Sequence, residues 1–380
     1  MPVLKTLLCD LLDIEYPICA AGMGSNFGSL KAVAATGPDL AAAVSNAGGL
    51  GVLSCTMLTA DEIEEAVMKT RALTRKPFGA NVVFPSGAKE EQATVAELEA
   101  QIPKEYIAFR DRVMAELGVP QPKELHLKIA ERFSRINARA RRRQLETIIE
   151  LRVPVFVSGL GSPDAVLSQM RQKGMKVMSL VGSSRAARNL AALGVDAIIA
   201  TGYEAGGHSG GLGGMVLIPE VARAIHPTPL VAGGGIVTGR QMAAALVLGA
   251  CGVWCGTAFL ATREAAIDDW WKEMIVRKRG EDTIQSRYWT GKTLRSFRSL
   301  WEKSWEKSGL EPLPMNLHTV LSAQMSAGAV ESGKYEFSGA RVGQGISMIE
   351  EVKPAAQVVA DMVHEAVHTL ATLNQRVKYS

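Results

Sequence analysis

The chain has 380 residues, 47% of them hydrophobic, with 37 glycines and a formal net charge of +4. That balance fits a glycine- and alanine-rich α/β enzyme and excludes a disordered or fibrous chain, and so mild a charge does not mark a nucleic-acid binder. Five cysteines without framework spacing, an early Asp10 where a leader would need apolar residues, and no run of about 18 uncharged apolar residues point to a soluble, cytoplasmic protein with no membrane span.

Eight short apolar runs, each closing in glycine or small residues, read as strands. In order they cover residues 17–24, 41–49, 78–85, 153–159, 176–183, 197–200, 229–236 and 252–260. Their hydrophobicity is continuous rather than alternating, as expected of parallel strands covered on both faces. Helix signals fall between most of them. Thr59 stands as an N-cap before Asp61 and Glu62, Ser162 precedes Pro163, and further helices open near Ser184 and Gly239. Eight strand–helix units give a (β/α)8 TIM barrel, whose chemistry belongs at the C-terminal strand ends.

Two interruptions break the spacing. A helical insertion after strand 3, about 89–152, contains Arg132, Arg135, Arg139, Arg141, Arg142 and Arg143. Apolar residues recur there at Ile129, Phe133, Ile136, Leu145, Ile148 and Ile149, the mark of one or two amphipathic helices. The arginines are either a solvated helix face, the commoner case, or a grip for a phosphate-bearing carrier or nucleic acid. The second interruption, 261–345, carries Trp270, Trp271, Trp289, Trp301 and Trp305 and reads as a helical cap over the barrel mouth or a dimer face. A C-terminal helix within 346–380 then packs back on the barrel. The expected organisation is thus a barrel over 1–260, a cap or lid over 261–345 and a closing helix, with homo-oligomerisation left open. His364 and His368 on that helix read as surface or packing residues, Cys251 and Cys255 as strand residues, and no metal site is expected.

Glycine-rich loops mark the chemistry. Residues 22–28 have a poor dinucleotide spacing, and the second run ends in Ser45-Asn46 where a ribose-binding acid would stand, which argues against a Rossmann domain. Gly233, Gly234 and Gly235 before a helix, with Gly256 and Thr257 on the next strand, offer backbone N–H groups and a hydroxyl to a phosphate. Across the mouth lie Gly22 and Met23, then Asn81, able to donate and accept, and finally residues 201–211 with Gly206, Gly207 and a single imidazole, His208. A flat phosphorylated heterocycle, FMN rather than a sugar phosphate, suits such a mouth.

Pro17-Ile18-(x)3-Gly22-Met23, residues 44–51, Gly79-Ala80-Asn81-Val82 and Gly202-Tyr203-Glu204-Ala205-Gly206-Gly207-His208 occur together and in order. With residues 232–240, Gly256-Thr257 and Gly343-Gln344, they resemble the nitronate monooxygenase (2-nitropropane dioxygenase) family, which also includes flavin enoyl-ACP reductases and NADH:quinone reductases. The resemblance implies an FMN barrel. Its phosphate would rest on Gly234, Gly235, Gly256 and Thr257, its flavin would be lined by Gly22, Met23, Asn81, Ser183 and Gly207, and His208 would be catalytic. The sequence departs from the family pattern at Gly22, where a proline is common, at Thr238, where an acid is usual, and in its longer insertion. The implied activity is oxidation of alkyl nitronates with O2 to a carbonyl compound and nitrite. The alternative on the same fold is reduction of an enoyl thioester or quinone by NAD(P)H. Either substrate is a small molecule, not nucleic acid or membrane.

Overall fold

Eight strands close into one parallel barrel in a computed structural model that describes residues 2–24, 34–83, 94–124 and 137–376. They are β1 Ile18–Ala20, β2 Leu50–Ser54, β3 Phe78–Val83, β4 Val155–Leu160, β5 Lys176–Val181, β6 Ala197–Thr201, β8 Leu230–Gly233 and β9 Gly252–Cys255, with a two-residue β7, Gly207–His208, outside the barrel. Closure is made where Ile18, Cys19 and Ala20 register with Val253, Trp254 and Cys255. The fold is a (β/α)8 barrel, as the strand count anticipates.

Alternation along each strand divides the core in two. Cys19, Leu50, Val52, Val155, Val157, Met178, Ala197, Ile199, Val231 and Trp254 point inward and pack together, with Leu8 and Leu12 of the helix Leu7–Leu12 closing one end. Ile18, Leu53, Ala80, Phe156, Val177, Ile198, Ala232 and Val253 point outward against the surrounding helices. Thr59 caps the helix Ala60–Leu73 in a reciprocal box with Glu62, and Thr238 does the same with Gln241 for Gly239–Val247.

One strand lies elsewhere than the apolar runs suggest. Residues 41–49, expected as the second strand, belong mostly to the helix Pro38–Asn46, and β2 follows at Leu50–Ser54. Alanine is the best helix former and Pro38 sits in the first turn, and Leu40, Ala41, Val44 and Ser45 form the buried face of this helix at helical spacing. Likewise Thr257–Leu260 is a short helix, not the end of β9.

The two interruptions meet. Leu98, Ile102, Tyr106, Phe109, Val113 and Met114, from the helices Val95–Ala100 and Lys104–Glu116 and the turn between them, share a second core with Trp289, Trp301, Trp305, Leu321 and Met325. Phe109 meets Trp305 edge-on with ring centres 4.7 Å apart. The helix Ala138–Glu150 does not join this lid. Its Leu145, Ile148 and Ile149 pack in the outer barrel core, so it serves as the crossover helix of that barrel unit. Residues 129, 133 and 136 lie outside the described residues. The cap itself is only partly helical: β10 Thr283–Ser286 and β11 Leu294–Phe297 form an antiparallel hairpin between its helices. The closing helix Ala355–Ala371 packs on Gly239–Val247 and on Pro38–Asn46.

Candidate active site

The inward-facing series continues past the packed barrel layers into a cavity. Stepping by two along the strands gives Asn81 on β3, Gly159 on β4, Leu180 on β5 and Thr201 on β6, and all four line one hollow of about 310 Å³. Gly22, Met23, Gly206, Gly207, His208, Gly234, Gly235, Gly256 and Thr257 line it too. The fold therefore gathers Asn81 and these nine residues, expected from five separate stretches of sequence, around one space.

Ser183 stands apart. Its hydroxyl accepts from Ala186 N at 3.3 Å and caps the helix Ser184–Leu193, so its side chain is spent on helix geometry outside the cavity lining.

Each wall is held locally. Thr36 ties down the loop after β1, accepting from Met23 N at 3.1 Å and donating to Ala21 O at 2.7 Å. Asn81 is buried and donates through Nδ2 to Val157 O at 3.1 Å, which fixes the plane of its carboxamide. A Cβ at position 22 would fall 2.5 Å from Asn81 Cβ, so Gly22, the departure from the family's proline, makes room for that asparagine. Opposite, Gly234 and Gly235 have φ of 101° and 70°, a backbone that side-chain-bearing residues rarely adopt, and a Cβ at either would fall 2.9 Å from Gly202 N or Glu204 Cβ respectively.

The loop carrying His208 is clasped from both sides. Both carboxylate oxygens of Glu204 accept from Gly214 N, at 2.9 and 3.0 Å, at the start of the helix Gly214–Ile225. Glu204 O accepts from Gln344 N at 2.9 Å, and Gly343 N donates to Thr257 Oγ1 at 2.9 Å, so the Gly343-Gln344 segment joins the histidine loop to the end of β9. The lid holds the other side. β7 adds to the hairpin, Leu294 opposite His208 and Arg295 opposite Gly207. The guanidinium of Arg295, 1% exposed, donates to Tyr203 O at 3.1 and 3.3 Å and to Thr283 Oγ1 at 3.0 Å, and lies 4.4 Å from the Tyr203 ring centre. Gln285 Nε2 donates to Ser209 Oγ at 2.9 Å and Gly210 O at 3.1 Å.

His208 and Arg341 are the only ionisable side chains among the described lining residues. The His208 side chain is exposed to the cavity, with protein atoms crowded around the ring on its other sides. Loss of solvent there, followed by the Arg341 and Lys292 charges, pushes its pKa down to about 4. Burial also lowers Arg341 to about 10. His208 is thus neutral at pH 7, able to accept a proton or a hydrogen bond, in a mouth whose fixed charge is positive.

Arg341, Arg295, Thr290 and Trp271 are functional candidates that sequence reasoning passed over. Arg341 lies within the Gly339–Gly345 stretch and Trp271 within the tryptophan-rich segment, but nothing local signalled that either faces the cavity. Of the arginine-rich stretch, Arg132 and Arg135 lie outside the described residues. Arg139, Arg142 and Arg143 are exposed on their helix, and buried Arg141 donates to Gln144 Oε1 at 2.6 Å. Among the described residues no group of three or more His, Cys, Asp and Glu could hold a metal, and no helix is long and apolar enough to cross a membrane.

Relatives extend the whole length of the chain. A putative monooxygenase of Mycobacterium tuberculosis is 33% identical over 99% of this chain and 100% of its own, and a probable nitronate monooxygenase of Staphylococcus aureus is 27% identical over 99% of both. Among solved structures, nitroalkane oxidase from Streptomyces ansochromogenes superposes with a TM-score of 0.78 at 29% identity, covering 96% of this chain and 99% of that one. FabK from Thermotoga maritima gives 0.74 at 29% identity, over 98% and 100%. The nitronate monooxygenase family model matches residues 5–365. The chain therefore belongs to the nitronate monooxygenase family of flavin-dependent oxidoreductases.

Proposed function

We propose that the protein oxidises alkyl nitronates, with FMN as its flavin and O2 as co-substrate, to a carbonyl compound and nitrite. The observation that carries this reading is the cavity's charge pattern: one neutral imidazole and one buried guanidinium, with no carboxylate among the described lining residues. A small anion is favoured there.

The residues present fit FMN. Thr201 Oγ1 and Trp271 Nε1 are buried polar atoms on the cavity wall with no hydrogen-bond partner, and buried donors rarely stay so without a ligand to meet them. The amides of Gly234, Gly235, Gly256 and Thr257 would hold the phosphate, while Gly22, Met23, Asn81, Gly206 and Gly207 would flank the ring system. Bound FMN would supply the redox chemistry, taking electrons from the substrate and passing them to O2.

His208 would face the nitro-bearing carbon and help orient the substrate beside the flavin. On a neutral nitroalkane it would also accept the α-proton: the C–H bond breaks, its electron pair enters the C–N bond, and the nitronate remains. A pKa near 4 makes the imidazole a weak base for that carbon acid, whereas an anion needs no deprotonation and is drawn to the same cations that lower the pKa. This favours the preformed nitronate as the better substrate. Replacing His208 by alanine should cost on the order of 10²–10⁴ in turnover of a neutral nitroalkane while FMN stays bound.

The similarity to FabK is as high in identity as that to nitroalkane oxidase, which keeps in view an NAD(P)H-dependent reductase of enoyl thioesters or quinones. Anaerobic mixing separates the two readings. Bleaching of the flavin absorbance by propionate-3-nitronate supports nitronate oxidation. Rapid bleaching by NADPH, with none by the nitronate, would overturn it in favour of the reductase.

A further inference from the structure

We propose that Thr290 is a positioning residue that receives the Nε2 proton of His208 and so makes Nδ1 the ring's proton-accepting nitrogen. This rests on the role given to His208 above and names the atom through which it acts.

Two bonds set the direction. Thr290 Oγ1 lies 2.9 Å from His208 Nε2, and the same hydroxyl donates to Lys292 O at 3.1 Å. A hydroxyl carries a single proton, so with that proton on the Lys292 carbonyl the oxygen offers the imidazole only lone pairs. Nε2 must then carry hydrogen, and in a neutral ring Nδ1 is left as the acceptor. The charged groups facing the ring, Arg341 and Lys292, are cations without acceptor atoms and provide no competing partner for Nε2–H.

The lid makes this arrangement rigid. Thr290 is 2% exposed. Its neighbour Trp289 is fixed at both ends, Nε1 donating to Glu302 Oε1 at 2.6 Å and its carbonyl accepting from Ser322 Oγ at 2.6 Å. Four residues on, Leu294 pairs with His208 along the backbone. One hairpin thus sets both the main chain and the ring nitrogen of the histidine. In the proton-transfer step the proton leaving the nitroalkane carbon arrives at Nδ1, while its electron pair stays in the nitronate.

The direct test is ¹⁵N NMR of the flavin-loaded enzyme at pH 7 with labelled histidine. The chain has six histidines, so the His208 signals are assigned by their loss in His208→Gln. A neutral ring protonated at Nε2 is expected. Protonation at Nδ1, or fast averaging between the two forms in the unmodified protein, overturns the proposal without any change at Thr290. Thr290→Val keeps the volume and removes the oxygen. It should shift the ring toward a tautomer mixture and lower kcat/KM for a neutral nitroalkane by on the order of 10- to 100-fold, a larger loss than for a preformed nitronate, with Thr290→Ser restoring both readouts. An unaltered tautomer in Thr290→Val would refute the positioning role. Failure of the base role itself would appear separately, as unchanged nitroalkane turnover in His208→Ala, while the tautomer of the native ring would still be read directly.

Discussion

Replacing Arg295 with methionine tests whether the lid holds the histidine loop in place. Methionine keeps most of the aliphatic volume and removes the guanidinium. Three donated hydrogen bonds disappear, two of them to Tyr203 O, together with the contact over the Tyr203 ring. Thr283 suffers little, because its hydroxyl still donates to Gly280 O at 2.8 Å. Stranding the Tyr203 carbonyl costs about 1–3 kcal/mol, and losing the cation–π contact roughly another 1–2 kcal/mol. Relief of the desolvation of a guanidinium only 1% exposed offsets part of this, for a net loss of about 2–4 kcal/mol. At about 2 °C per kcal/mol for a large domain, the melting temperature should fall by roughly 4–8 °C. Because the stranded carbonyl is one residue from Glu204 and five from His208, flavin affinity should weaken as well. Differential scanning fluorimetry and fluorescence titration with FMN read the two effects. A melting temperature and a flavin affinity both equal to those of the parent would refute the view that the loop depends on the lid.

Two further outcomes follow from the site. With His208 near pKa 4, kcat/KM for a neutral nitroalkane should show no inflection at the ordinary histidine value of 6.5 and fall only as pH approaches 4. The stability sign is consistent: the folded state disfavours the protonated ring, so the unfolded chain binds the extra proton between pH 6.5 and 4 and His208 costs stability as pH drops through that window, which a pH series of melting temperatures would reveal. Gly22→Ala would place a Cβ 2.5 Å from Asn81 Cβ and push the carboxamide off Val157 O. About a 10-fold weaker FMN affinity is expected, corresponding to about one lost hydrogen bond, and an unchanged dissociation constant would show that Asn81 does not touch the flavin.

Much of the fold is legible in the sequence because a parallel barrel repeats one local signal, an apolar run closing in small residues. The misplacement of the second strand has a physical cause: Pro38–Asn46 is short, and its run of small apolar residues leading to Gly48-Gly49 repeats the local signal of the true strands, an apolar run closing in glycine. The cavity wall was legible where glycine or an isolated polar residue interrupts such a run, as at Asn81 and Gly234. The lid was not. Its hairpin strands have four residues each, and the third strand of that sheet is the pair Gly207–His208, too short for any periodicity. Arg295 and Thr290 act through contacts with residues more than eighty positions earlier in the chain, and no local pattern marks such a partner. Glu204, within the motif before His208, accepts from Gly214 N at the start of the following helix and, through its backbone carbonyl, anchors Gln344, links that no local pattern announces.

The shared core of the lid also sets an order of assembly. Tyr106 and Phe109 are synthesised long before Trp301 and Trp305, the side chains they bury against. Through most of translation the helices Val95–Ala100 and Lys104–Glu116 display apolar faces with nothing to cover them, while the barrel strands can already pair. Contacts of such sequence separation form slowly because the long intervening loop must first be closed. Docking of the lid, which brings β11 beside His208, is therefore expected late in folding, so that a newly made barrel would acquire the final setting of this cavity histidine last.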